Sequence, residues 1–211
     1  MIPARDALAR LKDGNKRFVA NVRNPSSHNS YDRRAELAGG QHPFAIVLGC
    51  SDSRVPAELV FDQGLGDLFV IRVAGNIVAP SQVGSVEFAV AAFDTRLVVV
   101  LGHSQCGAIQ ATIEQLTNFQ KTTAAQSRGL RAIVDRIRPS VASLLETPLR
   151  NNPDALAHAA VRANIRASVA HLQHGSEIIE QHIRDEGVMI VGADYSLETG
   201  AVEFLDAGAD A

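Results

Sequence analysis

The chain is poor in cysteine, the residue that cross-links small secreted proteins. Among its 211 residues are two cysteines, two methionines and no tryptophan. Two cysteines, Cys50 and Cys106, cannot build the disulfide framework typical of small secreted domains. We expect a reducing, cytoplasmic compartment, where these thiols are buried inert side chains, metal ligands or a reactive thiol.

Long apolar runs and clusters of one charge are also missing. No run approaches the roughly 18 apolar residues of a membrane span. The N-terminal segment MIPARDALARLKDGNKRF has no apolar stretch of the kind found in secretion signals. Lysine and arginine are scattered, and the formal net charge is -3. We therefore expect neither a membrane nor a nucleic acid as a partner.

The sequence does contain enough apolar material for one sizeable core, with 46% hydrophobic residues. Continuous β-branched runs at 44–49, 68–73, 96–102 and 188–193 predict strands that are covered on both faces. Helical stretches lie between them, which indicates an α/β fold with a mainly parallel sheet flanked by helices. Residues 201–205 follow a turn and predict an antiparallel edge strand.

The second half of the chain is predicted to be largely helical. Gly129, Pro139, Pro148 and Pro153 are expected to interrupt this region. Its last part carries apolar residues at helical spacing over 161–183, which predicts an amphipathic helical stripe.

Two of the predicted strands run directly into side chains that can bind a metal. The first is followed by CSDSRV, which contains Cys50, Asp52 and Arg54, and the third by HSQCG, which contains His103 and Cys106. Ligand sites of open parallel sheets form beyond the carboxyl ends of the strands. If these strands are neighbours, two thiols and one imidazole meet there, a ligand set that suits zinc.

Three such ligands leave a fourth position on zinc, for water or for Asp52. Zinc lowers the pKa of bound water toward ~7, so an open position predicts a zinc hydroxide nucleophile. Arg54 can bind the Asp52 carboxylate bidentately, so Asp52 can bind either zinc or Arg54. Inert core thiols and a structural zinc closed by Asp52 are the alternatives.

At these residues the sequence resembles the β-class carbonic anhydrases of bacteria. The family's C-x-D-x-R motif corresponds to residues 50–54, and its H-x-x-C-G motif to residues 103–107. Three other segments are typical of the family: LKDGNKRF (11–18), FDQGLGDLFVIRVAGN (61–76) and GSVEFAV (84–90). The resemblance is strong over about residues 8–110 and looser beyond them.

The resemblance implies one Zn²⁺ per subunit on Cys50, His103 and Cys106, and a catalytic dyad of Asp52 and Arg54. In a closed state, Asp52 would itself bind the metal. It further implies a single domain with three parts: an N-terminal helix and arm (1–43), a zinc-site core (44–118), and a helical region with the C-terminal strands (119–211).

Substrate contacts and assembly are also implied by the resemblance. Gln41 would contact substrate across a dimer interface, and the Gly107 amide would help to hold bicarbonate. Phe69 and Ala74 would line the CO2 pocket, together with Phe88, which replaces a tyrosine found in many members. The family forms homodimers, often paired into homotetramers, with the N-terminal helix packed on the partner subunit.

A second departure concerns regulation by bicarbonate. Some bacterial members bind a regulatory bicarbonate with a tryptophan, an arginine and a tyrosine. Arg72 and Tyr195 match this set, but Val47 replaces the tryptophan, which argues against this regulation here. A switch in which Asp52 binds zinc at low pH does not depend on that site.

We therefore expect a lyase that hydrates CO2 reversibly to bicarbonate and a proton. Two thiolates place more negative charge on zinc than imidazoles do, so activity is expected to rise toward alkaline pH. The alternatives are a carbonyl sulfide or carbon disulfide hydrolase on the same scaffold and a non-catalytic zinc-stabilised module. The absence of a glycine fingerprint argues against a nucleotide-binding domain.

Overall fold

The computed structural model describes residues 2–22, 31–117 and 127–205. The strands are β1 (Ala45–Gly49), β2 (Leu68–Arg72), β3 (Leu97–His103), β4 (Met189–Tyr195) and β5 (Val202–Leu205). They form one sheet in the order β2-β1-β3-β4-β5. The first four strands pair in parallel and β5 pairs antiparallel to β4. The predicted sheet and its antiparallel edge strand are confirmed.

Helices cover both faces of this sheet. They are α1 (Ala4–Val19), α2 (Tyr31–Leu37), α3 (Ala57–Val60), α4 (Pro80–Phe93), α5 (Gly107–Thr117), α6 (Arg128–Leu145), α7 (Pro153–His174) and α8 (Glu177–Glu186). Helices α1 and α3 pack in the core on one face, and helices α4 to α8 in the core on the other. Within the described ranges, no helix is both long and apolar enough to cross a membrane.

Strand β3 shows why the strands of this sheet are unbroken apolar runs in the sequence. All seven of its residues are buried. Val98 and Val100 pack in the core beneath α4 to α8, whereas Val99 and Leu101 pack in the core beneath α1 and α3. Because both faces are covered, the polar and apolar alternation of a half-exposed strand is absent.

The helical region differs from the sequence-based expectation at two points. Pro139 was expected to interrupt the helix but lies inside α6, where Ile137 and Val141 are fully buried. Proline removes one helical hydrogen bond, and burial of this apolar face offsets the loss. The apolar stripe over 161–183 is divided between α7 and α8, because the Ser176 hydroxyl caps a new helix start.

Asn15 connects α1 to two distant parts of the chain. Its side-chain amide donates to the carbonyl oxygens of Val60 at 3.0 Å and Gly200 at 2.9 Å. Its side-chain oxygen accepts from the Val202 N–H at 2.9 Å. The buried Asn15 therefore fixes α1 against the end of α3 and the start of β5.

Helix α7 approaches the sheet closely over two strand glycines. A methyl group on Gly102 of β3 would lie 2.6 Å from both Cγ1 and Cδ1 of Ile165. A methyl group on Gly192 of β4 would lie 2.6 Å from Cγ2 of the same side chain. The absence of side chains at both glycines therefore gives Ile165 its place on the sheet.

Candidate metal centre

The three predicted metal ligands meet at the carboxyl edge of the sheet. Cys50 directly follows β1, His103 is the last residue of β3, and Cys106 directly precedes α5. Strands β1 and β3 are parallel neighbours. One ligand atom from each of the three buried side chains lies within 4.8 Å of the other two. Two sulfurs and one imidazole nitrogen at this separation can bind a single ion.

The His103 ring is held in an orientation that suits a ligand. Its Nδ1 lies 2.8 Å from the Ser104 carbonyl oxygen, so Nδ1 carries the proton and donates. Its Nε2 is fully buried and has no hydrogen-bond partner among the described residues. A buried nitrogen that keeps its lone pair free beside two sulfurs fits zinc.

The two thiols affect each other's ionisation. The neighbouring Cys106 thiol lowers the pKa of Cys50, and the Cys50 thiolate in turn raises the pKa of Cys106. Without a metal, one buried negative charge therefore opposes the second. A bound cation removes that penalty and deprotonates both thiols, which is the second reason that the site fits a thiophilic metal such as zinc.

The loop between His103 and Cys106 is fixed by a carboxylate from the β4–β5 turn. The Glu198 carboxylate accepts from the Ser104 hydroxyl at 2.9 Å and from the Gln105 side-chain amide at 2.6 Å. Gln105 has a positive φ of 55°, a conformation that non-glycine residues adopt rarely. Glu198 therefore anchors a strained loop that spaces two of the candidate ligands.

Asp52 and Arg54 form a bidentate ion pair at the entrance to the cluster. Arg54 Nε and Nη2 donate to the two carboxylate oxygens of Asp52 at 2.9 and 2.7 Å, and the Arg54 N–H adds a third bond. The Arg54 guanidinium holds the pKa of Asp52 well below its usual range. One Asp52 oxygen lies 3.9 Å from His103 Nε2. The carboxylate is thus ionised, held by Arg54 and adjacent to the candidate ligands.

Arg72 fixes the backbone that carries this pair. Its Nε donates to the Cys50 carbonyl oxygen at 3.0 Å, and its Nη2 to the Asp52 carbonyl oxygen at 2.6 Å. The other two positions of the regulatory bicarbonate site that the resemblance suggests are Val47 and Tyr195. Val47 is fully buried in β1, and Tyr195 is buried in β4. Arg72 therefore has a structural partner within the loop that follows β1.

The aromatic residues predicted for the substrate pocket lie together. Phe69 of β2 contacts Phe88 and Phe93 of α4, with ring centroids 6.2 and 5.9 Å away. Phe88 is 56% exposed, whereas Phe69 is half-buried. Ala74 lies in the 3₁₀ turn Ala74–Asn76, which follows β2. Phe69 pairs with Ile46, four residues before Cys50, so the aromatic side chains lie toward the amino end of the strands, whereas Ala74 lies at the carboxyl edge.

Gly107 and Gln41 lie at opposite ends of the sheet. Gly107 is the first residue of α5, immediately after Cys106. Gln41 is exposed and precedes β1, whereas Cys50 follows it. Five extended residues span about 16 Å, so Gln41 is not near the metal cluster of its own chain. A contact with substrate requires a second copy of the chain, and stays a prediction.

Two kinds of support around the cluster were not anticipated from the sequence. Glu198 lies more than 90 positions from the loop that it anchors, and nothing local marks it. Asn164 and Ser168 of α7 are buried and contact the turn after β2. The sequence offered one signal for these two residues: both lie beside the apolar stripe of α7. A polar side chain that is buried there needs a hydrogen-bond partner.

Known carbonic anhydrase sequences match this chain over nearly its whole length. The sequence model of the family described as carbonic anhydrase matches residues 45–202. Carbonic anhydrase 2 of Mycobacterium tuberculosis is 39% identical over 199 residues, which cover 93% of this chain and 90% of that protein. Carbonic anhydrase of Mycolicibacterium smegmatis is 41% identical over 194 residues, with 92% and 89% covered.

Solved structures match in the same way. The β-carbonic anhydrase CcaA superposes with a TM-score of 0.73 at 27% identity, covering 94% of this chain and 95% of that one. A β-carbonic anhydrase of Aspergillus fumigatus gives a TM-score of 0.74 at 24% identity, with 97% and 91% covered, and shows the same fold. From the matched family model, these relatives and the shared fold, the chain belongs to the β-carbonic anhydrase family.

Proposed function

We propose that the protein catalyses the reversible hydration of CO2 to bicarbonate and a proton, with one zinc ion per subunit. The observation that carries this proposal is the buried cluster of Cys50, His103 and Cys106 beside an ionised Asp52. Three protein ligands are typical of catalytic zinc sites, whereas structural sites usually have four. This chain supplies three, with the fourth candidate held by an arginine.

Cys50, His103 and Cys106 would hold the ion. When bound there, zinc supplies a Lewis acid that lowers the pKa of a coordinated water toward neutrality. Asp52 remains a carboxylate at neutral pH, so it can accept a hydrogen bond from the reacting water and orient it. Arg54 holds the carboxylate with its guanidinium, which would leave the fourth position on a bound metal to water.

Apolar walls suit the substrate. CO2 has no net charge or strong hydrogen-bonding group, so it partitions to apolar walls more readily than bicarbonate does. We propose Phe69, Phe88 and Ala74 as walls for CO2, the two phenylalanines facing the cluster of a second subunit, with the Gly107 N–H as a donor to bicarbonate. Gly107 opens α5, and its N–H is among those that an α-helix leaves without an intrahelical acceptor.

We propose a homodimer as the working unit, with a tetramer as a further assembly. Exposed apolar side chains support a partner: Phe88 on α4, and Phe18, Val19 and Val22 at the end of α1. The position of Gln41 supports it as well, because this residue reaches a metal cluster only across an interface. A solved relative in fold, from Sordaria macrospora, is described as tetrameric.

A cytoplasmic location is also proposed. Cys50 and Cys106 are both free thiols, and a reducing compartment keeps such a pair available for a metal.

Stopped-flow CO2 hydration by zinc-loaded protein, from mildly acid to alkaline pH, tests the function. We expect activity that rises with pH, and Asp52→Asn should keep its zinc but lose most of that activity. Asp13→Asn, which alters only an exposed pair with Lys16, should leave activity unchanged. Absence of CO2 hydration at every pH in zinc-loaded protein would refute the proposal, and turnover of carbonyl sulfide or carbon disulfide instead would identify the related hydrolase.

A further inference from the structure

Cys50 has a hydrogen-bond donor that belongs to neither metal-ligand segment. The Gly75 N–H donates to the Cys50 sulfur at 3.3 Å. Such a bond stabilises negative charge on sulfur and reduces the charge that the sulfur shares with a metal. The position of one backbone amide therefore affects how Cys50 binds an ion.

The turn that carries this amide has an unusual backbone. Gly75 has φ 71° and Asn76 has φ 41°, so two successive residues are left-handed. A side chain on Gly75 would lie 2.8 Å from Ile137 Cδ1 and 3.0 Å from Ala108 Cβ. A left-handed non-glycine residue is strained and persists only where its surroundings hold it. The Gly75 amide therefore points at the sulfur only as long as other contacts fix the turn.

Helix α7 provides those contacts. The Asn164 side-chain amide donates to the Gly75 carbonyl oxygen at 2.8 Å, and the Ser168 hydroxyl to the Asn76 carbonyl oxygen at 3.0 Å. The two side chains are four positions apart and so share one face of the helix. Both are buried, Asn164 at 2% and Ser168 at 5% exposure. Because both donors are buried, the loss of either one removes a hydrogen bond from the backbone of the turn, which makes both contacts strong restraints.

We propose that Asn164 and Ser168 are positioning residues of the metal centre. They hold the Ala74–Asn76 turn so that the Gly75 N–H stays on the Cys50 sulfur, and they thereby set how this sulfur binds zinc. This inference rests on the proposed function only in requiring that Cys50 is a metal ligand. It assigns to α7, which supplies no candidate ligand, an effect on the metal.

Zinc affinity and the spectrum of a cobalt-substituted protein test this role. Zinc affinity is measured by competition with a chromophoric chelator in wild type, Asn164→Ala and Ser168→Ala. Loss of a supporting contact around a metal site typically lowers affinity about 10–100-fold, and we expect Asn164→Ala in this range with a smaller loss for Ser168→Ala. In Co²⁺ protein, the sulfur-to-cobalt charge-transfer band should move to lower energy in both variants, because a sulfur without its donor is more electron-rich.

Ile179→Ala is the matched control. Ile179 is fully buried in α8 within the same core, but makes no hydrogen bond to the turn. This variant should lower thermal stability while leaving zinc affinity and the cobalt band as in wild type. If both α7 variants behave like Ile179→Ala, Asn164 and Ser168 are ordinary core residues and the inference is wrong. Should Asn164→Ala fail to fold, Ser168→Ala decides alone.

The outcomes separate this inference from the proposed function. Wild-type protein that hydrates CO2, with α7 variants whose affinity and spectrum are unchanged, would refute the role of α7 alone. Wild-type protein that binds zinc and cobalt but hydrates no CO2 would refute the function, and the spectral shift would still establish the role of α7.

Discussion

Replacing Gly102 by alanine should destabilise the protein through one identified contact. The new methyl group would lie 2.6 Å from two carbons of Ile165. Non-bonded carbons are most stable about 3.5–4.0 Å apart, so the overlap is about 1 Å. Ile165 has no room to turn aside, because it is fully buried and its Cγ2 branch packs closely over Gly192. Either α7 or β3 must therefore move.

The size of the effect follows from this overlap. Inserting a methyl group into a well-packed core costs about 1–3 kcal/mol. For a chain of this length, each kcal/mol lowers the melting temperature by about 2–4 °C, so a fall of roughly 2–12 °C is expected. Gly102 directly precedes His103, and Ile165 directly follows Asn164. The same displacement should therefore also weaken zinc binding.

A double-mutant cycle measures the contact itself. Urea unfolding is followed in metal-free protein at one protein concentration, because metal binding and association would add to the stability. Ile165→Ala alone should cost about 2–5 kcal/mol by leaving a cavity. The double variant should lose about 1–3 kcal/mol less than the sum of the singles, since the new methyl group enters that cavity. Losses that add to within about 0.5 kcal/mol would refute the assignment of the clash to Ile165.

Three other outcomes are expected. Asn15→Ala removes all three hydrogen bonds of a buried side chain and should lower the free energy of unfolding by about 2–4 kcal/mol in urea; a loss below about 1 kcal/mol would contradict this. The bidentate bond from Arg162 lowers the pKa of Glu203, so its stabilisation is present above the unfolded pKa of about 4.3 and is lost as the pH falls through the lower folded value. Glu203→Gln should therefore reduce stability by about 0.5 kcal/mol at pH 7, by progressively less as the pH falls below about 4.3, and at pH 7 by more than the control Glu180→Gln, whose partner lies at 3.8 Å; a loss that does not change with pH would exclude the ion pair. Glu198→Ala should lower zinc affinity about tenfold in chelator competition by freeing the loop between two ligands, whereas unchanged affinity would show that the loop holds itself.

The sheet and the metal cluster could be predicted because their signals are local. A strand that is buried on both faces must be continuously apolar, and β3 is. Cys50 and His103 follow two such strands directly, so the parallel topology alone brings them to one edge. The ligands could thus be paired without knowing how any helix packs.

The supporting contacts could not be predicted because they are tertiary. The bonds from Asn164 to Gly75 and from Gln105 to Glu198 join positions about 90 residues apart. The sequence shows each residue, but not the tertiary packing that places it beside the site. Pro139 was misjudged for a related reason: its cost to a helix is local, but the burial that offsets this cost is set by the whole core.

The contacts of Asn15 have a consequence for the order of folding during synthesis. Two of its three partners, Gly200 and Val202, are made 185 and 187 residues later. At typical rates of about 5–20 residues per second, α1 leaves the ribosome roughly ten to forty seconds before these partners exist. During that interval the apolar face of α1 has no β5 turn to dock against. Helix α1 is therefore made well before β5, yet the buried side-chain amide of Asn15 gains all three partners only when Gly200 and Val202 have been made.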